Sequence, residues 1–261
     1  MDLPFQYGSR TNAFEHDGVH VHTQRAAGIG DLRLTANVLV LDPARHPDQN
    51  ISLGLGVKAP TGDDAVSDNS FRSTGVVLRP VDSAIQPGDG GWGIILSGNA
   101  FAKVYKNTFA YVSGFYLINP RETNGVQTVR GDLPQIVNGI VVHDQGLIVN
   151  SVPDQVAVRG GVSHTIWPKL GLAVSLGGRW EGIPSHDLIG GSDGWRLPGF
   201  SVSVEPGISI SHGKDFLSVT APIAVHRYGI PSVPLTRVHS PTAGRASFAD
   251  FQINVTYSHL F

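Results

Sequence analysis

The feature that most constrains this chain is a period of two that persists over unusually long stretches. Residues 198–211 place Phe200, Val202, Val204, Pro206, Ile208 and Ile210 on one parity, and Ser201, Ser203, Glu205, Gly207, Ser209 and Ser211 on the other. Residues 169–181 set Leu170, Leu172, Val174, Leu176 and Trp180 against Lys169, Ser175, Arg179 and Glu181. Residues 216–227 and 249–261 repeat the pattern. Alternate side chains of a strand face opposite sides of its sheet, so each segment carries one apolar and one polar face. Strands of soluble sandwiches average about 5–6 residues. These runs extend over about 11–14 residues, the length a tilted strand needs to cross a bilayer. Their polar face is rich in Gly, Ser, Thr and Asn, which suits the wall of an enclosed interior better than a solubilising surface.

Connection lengths point the same way. Strands are expected at 3–11, 29–42, 50–59, 91–104, 107–119, 154–166, 169–182, 198–211, 215–227 and 248–261. Short joints (Pro43–Gln49, Tyr105–Lys106, Trp167–Pro168, His212–Lys214) alternate with long ones (Asn12–Gly28, Pro60–Gly90, Pro120–Pro153, Ile183–Leu197, Tyr228–Ser247). Tight turns at one end and long loops at the other are the pattern of bacterial up-and-down barrels, and Greek-key crossings would not keep it. The expected fold is all-β: an antiparallel up-and-down transmembrane β-barrel, with residues 1–261 forming a single domain of ten strands.

Composition is consistent with that expectation. Only 15% of residues are charged and the formal net charge is −2, which gives no reason to expect nucleic acid as a partner. There is no cysteine, so neither disulfides nor thiolate chemistry is available. No apolar run of about 18 residues exists to form a transmembrane helix.

The last strand aligns Phe251, Ile253, Val255, Tyr257 and terminal Phe261 on one face. Such an end suits recognition by the outer-membrane assembly machinery. Aromatic girdles are expected at both rims, from Tyr105, Trp167, Phe216 and Phe261 at the short-turn end and Trp92, Phe115, Tyr116, Trp180 and Phe200 at the loop end. The first residues, Met1-Asp2-Leu3-Pro4-Phe5, lack the basic and apolar regions of a signal peptide. A signal and further strands are therefore expected ahead of residue 1, for about 12 strands in a full-length protein.

Three segments carry a family resemblance: Gly28-Ile-Gly-Asp-Leu-Arg-Leu34, running on to Asp42-Pro43; Ile51-Ser-Leu-Gly-Leu-Gly-Val-Lys-Ala-Pro-Thr-Gly62; and Gly88-Asp-Gly-Gly-Trp-Gly93. Over about residues 28–120 the chain resembles the outer-membrane barrel family named for the meta-cleavage pathway of phenol degradation. That resemblance implies a porin-like protein or a transporter of hydrophobic compounds.

On the polar parity lie Arg33, Asn37, Lys58, Asn99, Lys103, Arg159, Arg179, Glu181, Glu205 and Asp250, the expected lumen-lining residues. They admit two readings: a polar path that selects solutes, or a self-neutralising network that fills a narrow, closed barrel. His16, His20 and His22 are weak metal candidates in the first loop, His20 and His22 sharing a face as a two-nitrogen pair with Asp17 nearby, and a plain surface loop is the preferred reading. Asp63, Asp64, Asp68, Asp82 and Asp89 fit no calcium loop. No Gly-x-Ser-x-Gly elbow exists, and His226 falls on the lumen parity away from a partner serine, so no enzyme and no cofactor are expected. Pro206 and Pro222 fall inside strands and call for a bulge at each. Segment Ile136–Val149 reads as a small hairpin or a loop folded into the mouth.

The expected function is a monomeric passive channel or transporter in the bacterial outer membrane. Its partners are the lipid bilayer, the assembly machinery and a small, apolar solute. The alternative is a closed structural or interaction barrel that binds a partner through its external loops. A soluble lipocalin-like binder, with apolar residues inside, is the third reading.

Overall fold

The computed structural model describes residues 1–12, 20–72, 74–128, 131–137, 139–238 and 248–260. The chain begins with β1 (Phe5–Asn12) and β2 (His22–Ile29), then β3 (Leu32–Leu39) and β4 (Gln49–Ala59). A long connection holds the hairpin β5 (Ser67–Arg72) and β6 (Gly75–Pro80) before β7 (Gly93–Tyr105) and β8 (Thr108–Ile118). The next connection contains β9 (Thr123–Gln127), β10 (Gln135–Val137), β11 (Ile140–Val142) and β12 (Val149–Ser151). The chain continues through β13 (Gln155–Trp167), β14 (Leu172–Ile183), β15 (Gly199–His212), β16 (Asp215–Thr220), β17 (Ile223–Gly229), the short α1 (Val233–Arg237) and β18 (Asn254–His259).

One curled antiparallel sheet dominates, in the order β3-β4-β7-β8-β13-β14-β15-β16-β18, with β17 pairing β15. The protein is all-β, and this sheet forms a half-barrel. Side chains meet across strands that are not neighbours. Arg33 on β3 lies 5.5 Å above the Phe115 ring on β8, with β4 and β7 between them. Gln252, just ahead of β18, donates to Glu181 on β14 at 3.4 Å. Contacts of this kind require that face to be concave.

Besides 248–261, which is a strand only over Asn254–His259, two expected strands are organised differently. Residues 3–11 do not enter the large sheet; β1 pairs with β2, from Phe5 opposite Ile29 to Asn12 opposite His22. β2 and β3 are successive parts of one run interrupted at Gly30-Asp31, and only the β3 part pairs with β4. The period of two identifies 3–11 as a strand but does not specify a partner. The second case is 215–227, which divides at Ala221-Pro222 into β16 and β17. Its register against β15 runs on across the break, from Gly207 opposite Thr220 to Val204 opposite Ile223.

Neither proline carries the expected bulge. Pro206 pairs with Leu176 in an unbroken β14–β15 register, and Pro222 interrupts its strand instead. The irregularity falls between Val202 and Ser203 on β15, opposite Val225. A bulge reverses the parity of the residues beyond it, so His226 pairs with outward Val202 and its ring lies 5.9 Å from Phe200. His226 therefore leaves the concave face on which plain alternation put it.

Burial is inverted relative to a water-soluble protein. Along β15, Ser201, Ser203 and Glu205 are buried, while Val204 and Ile208 of the other parity are 43% and 47% exposed. Mid-β4, Leu53 and Leu55 are 59% and 61% exposed, while Lys58 is 1% exposed. At β3 and β18, which among the described residues have no strand on their outer side, exposure extends to much of both faces. The convex face is thus apolar and exposed, the reverse of a lipocalin-type interior.

The sheet's ends differ as the joint lengths foretold. At the short-turn end, Pro168–Leu170 forms one tight turn, closed by Gly171 at φ 66°. β14 accordingly starts at Leu172 rather than at 169. A Cβ at Gly171 would press on the Ser211 carbonyl oxygen. Gly171→Ala is expected to lower stability by about 1–3 kcal/mol, from left-handed strain and this collision; a urea midpoint unchanged from the parent chain would contradict it. At the other end the loops are folded into a cap. Val137, Leu147 and Leu235 are buried together against Val142, Ile148, Trp195 and Val238. Segment 136–149 therefore begins as the β10–β11 hairpin and packs into this cap.

Candidate functional site

The concave face concentrates charge on β13–β15. Ser52, Asn99, Ser113, Arg159, Arg179 and Ser203 form one cross-strand row. Arg159 and Arg179 are directly opposite each other, an arrangement that repels unless neutralised. Glu205, one row away and 1% exposed, supplies the neutralisation. Its Oε1 lies 3.3 Å from Arg159, and its Oε2 lies 3.7 Å from Arg179. Arg179 also pairs with Glu181 at 2.7 Å, and Arg159 donates to the Ser113 hydroxyl at 3.0 Å. Two cations and two anions therefore balance within one cluster. Between Tyr111 and Glu205 the row holds Gly161 and Gly177. A Cβ on Gly177 would lie 2.8 Å from the Tyr111 hydroxyl, so the small residues leave room for that ring.

Beside this cluster the concave face is aromatic. Phe101, Phe109, Tyr111 and Phe115 share this parity on β7 and β8, and the Phe101 and Phe109 rings lie 6.2 Å apart. Sequence reading missed this stripe because β7 and β8 run through Ile94-Ile-Leu96 and Phe115-Tyr-Leu117 without clean alternation. Phe115 belongs here, and not to a convex girdle.

At the loop-end rim the three motif segments converge on Lys58. Its ammonium pairs with Asp89, and Asp31 lies 3.4 Å away; both Lys58 and Asp31 are buried. Asp31 accepts from the Gly62 N–H at 3.0 Å and from the Asp89 N–H at 3.3 Å. Thr61 donates to the Gly30 carbonyl at 3.1 Å and accepts from the Leu32 N–H at 2.9 Å. Gly62 and Gly88 pass so closely that a Cβ on either would strike the other's backbone. Burial pushes the Asp89 carboxyl up from its ordinary value, against the pull of Lys58 and the Gly91 N–H. Lys58 is thus a buried clamp joining three segments, and it is not exposed to the concave space as the alternation alone suggested.

A second buried centre organises the cap. Arg196 and Asp187, both almost fully buried, form a two-bond pair at 2.6 and 2.5 Å. Asp187 accepts the Asp154 N–H at 2.8 Å, and Asp154 accepts from Asn119 N–H at 2.7 Å, Leu188 N–H at 2.8 Å and the Tyr116 hydroxyl at 3.0 Å. Nothing in the periodicity marks these loop residues.

The remaining candidates are dispersed. Asn99 donates to Ser52 at 3.3 Å, beside the arginine row. Asn37 lies opposite Gly54, near the unpaired edge. Lys103 pairs with Asp48 at 3.1 Å at the short-turn end. Asp250 is 80% exposed and pairs with Arg227 at 2.5 Å. His22 stacks on Phe71 with centroids 3.8 Å apart; His16 lies outside the described residues. Among the described residues no group of three or more metal-ligating side chains gathers. Asp82 instead pairs with Arg10, and Asp68 accepts the Arg25 N–H at 2.9 Å. Phe251, Ile253, Val255 and Tyr257 form one exposed row on the convex face, and Phe261 lies outside the described residues.

No protein-family model matches the chain, and no curated protein matches it. What fold and site define is a class: a curled antiparallel sheet that is charged and aromatic within, apolar without, and capped at one end.

Proposed function

We propose that the chain is a bacterial outer-membrane β-barrel acting as a narrow, passive channel for small solutes. The inversion of burial carries this reading. An exposed apolar surface running across a whole sheet is a liability in water and is satisfied in hydrocarbon, where a barrel with a polar interior is one of the two viable spanning forms. Strand lengths and the alternation of short and long joints support it, and the likeness to the meta-cleavage family agrees with it through sequence motifs alone. The aromatic stripe beside the Arg159–Arg179–Glu205 cluster favours solutes with both an apolar ring or chain and a polar group.

The test is conductance in planar bilayers. The parent chain is expected to give small, weakly selective steps, because its inner cluster is neutral. Glu205→Gln leaves one net positive charge there, so the reversal potential in a salt gradient should move toward anion preference. No conductance above background in either protein would defeat the channel reading. The second reading, a closed barrel that binds through its loops, is favoured by the ordered cap and by side chains that bridge the concave face.

A further inference from the structure

Among the described residues the curled sheet has two edges without a strand partner, apart from the Asp2–Arg33 bridge on β3, and they run in the same direction. With every adjacent pair antiparallel, β3 and β18 both descend from the loop end to the short-turn end. They cannot pair antiparallel with each other. Nor can copies inserted the same way in a membrane pair edge to edge, since all their edges descend. Only an ascending strand fits antiparallel between them.

The backbone groups that need such a strand are identifiable. Arg33 exchanges both backbone hydrogen bonds with Asp2, at 2.8 and 2.9 Å. The N–H and C=O groups of Thr35 and Asn37, of the same parity, therefore point to the open side of β3. Gln252 and Leu260 bond inward to the Pro222 and Lys214 carbonyls, so the groups of Val255 and Tyr257 point to the open side of β18. Unpaired groups of this kind are strongly disfavoured in hydrocarbon.

β1 is already aligned for the task. It ascends, and Asp2 lies on the open side of β3 opposite Arg33. Below it, Met1, Leu34, Ala36, Leu55 and Val57 line an apolar groove along β3 and β4. We infer that one ascending amphipathic strand of the same polypeptide, joined to β1 at Asp2, fills the gap between β3 and β18 and closes the sheet into a ten-stranded barrel. This rests on the outer-membrane reading above. The register follows from Asp2 opposite Arg33: Ala36 pairs with the second residue ahead of Met1.

The native chain has no cysteine, so engineered pairs report alone. The probe is a fusion that places ahead of Met1 a segment of about ten residues, alternating Leu or Val with Ser or Thr. It carries Ala36→Cys and one cysteine at the second fused position ahead of Met1. After refolding in detergent, an intramolecular disulfide and a compact, heat-modifiable gel band are expected. In the unextended chain, Ala36→Cys with Val255→Cys should give no disulfide. An intramolecular Ala36→Cys/Val255→Cys link would overturn the inference in favour of direct parallel closure; a disulfide-linked dimer would overturn it in favour of a second copy. A fusion that stays detergent-dependent but forms no disulfide would overturn closure alone. A water-soluble monomer would instead overturn the outer-membrane reading beneath it.

Discussion

Leu53→Arg is expected, on the outer-membrane reading proposed above, to destabilise the protein folded in a bilayer by about 2–4 kcal/mol, the cost of a charge at the midplane of a barrel's lipid face. Leu53 is central in β4, and its neighbours across the sheet are Val38 and Gly98. It is 59% exposed, and a Cβ on Gly98 would find no heavy atom closer than 3.9 Å. A longer side chain therefore has room, and packing contributes little to the effect. In water such a surface change would fall within about 0.5 kcal/mol. Val104→Arg, close to the short-turn rim, supplies the control, since the cost falls to about 0–1 kcal/mol near the interface. Guanidinium unfolding in liposomes measures both. Equal and negligible effects at the two sites would remove the main physical support for a lipid-facing convex surface.

Arg196→Met should cost about 3–5 kcal/mol, because it leaves the Asp187 carboxylate buried without its cation. Asp187 also holds the Asp154 N–H, and Asp154 gathers donors from β8 and two loops. The loss should therefore spread through the cap. Trp195, next in sequence and packed against the buried cap cluster, reports the opening by fluorescence, and limited proteolysis should cut within 184–198. Pairing the change with Asp187→Leu removes the stranded charge and should recover much of the loss. A single variant as protease-resistant as the parent would show that the cap does not depend on this pair.

Where side chains alternate cleanly, the sequence made the sheet legible. The runs 154–166 and 198–211 reappear as β13 and β15, within a residue of the expected bounds. Alternation describes faces and leaves partners open, so 3–11 was recognisable as a strand while its pairing with β2 was not. The inner cluster was partly legible too. Asn99, Arg159, Arg179, Glu181 and Glu205 share the polar parity, and register brings them together. Lys58 shares that parity, yet its role depends on Asp31 and Asp89, which loops deliver from either side. The cap was opaque because its pairs, Arg196–Asp187 above all, join loop segments with no period to read. His226 shows the limit most simply: one extra residue upstream exchanged its face.

That bulge also has a mechanical consequence. By turning His226 and Tyr228 outward it completes a cluster with Phe200 and Trp180, whose rings lie 5.6–6.3 Å from Phe200. Rings with a polar edge settle where headgroups meet acyl chains. On the outer-membrane reading proposed above, a cluster fixed at one height on the convex wall would act as a waterline, and the inserted residue in β17 would help to set the depth at which the protein floats.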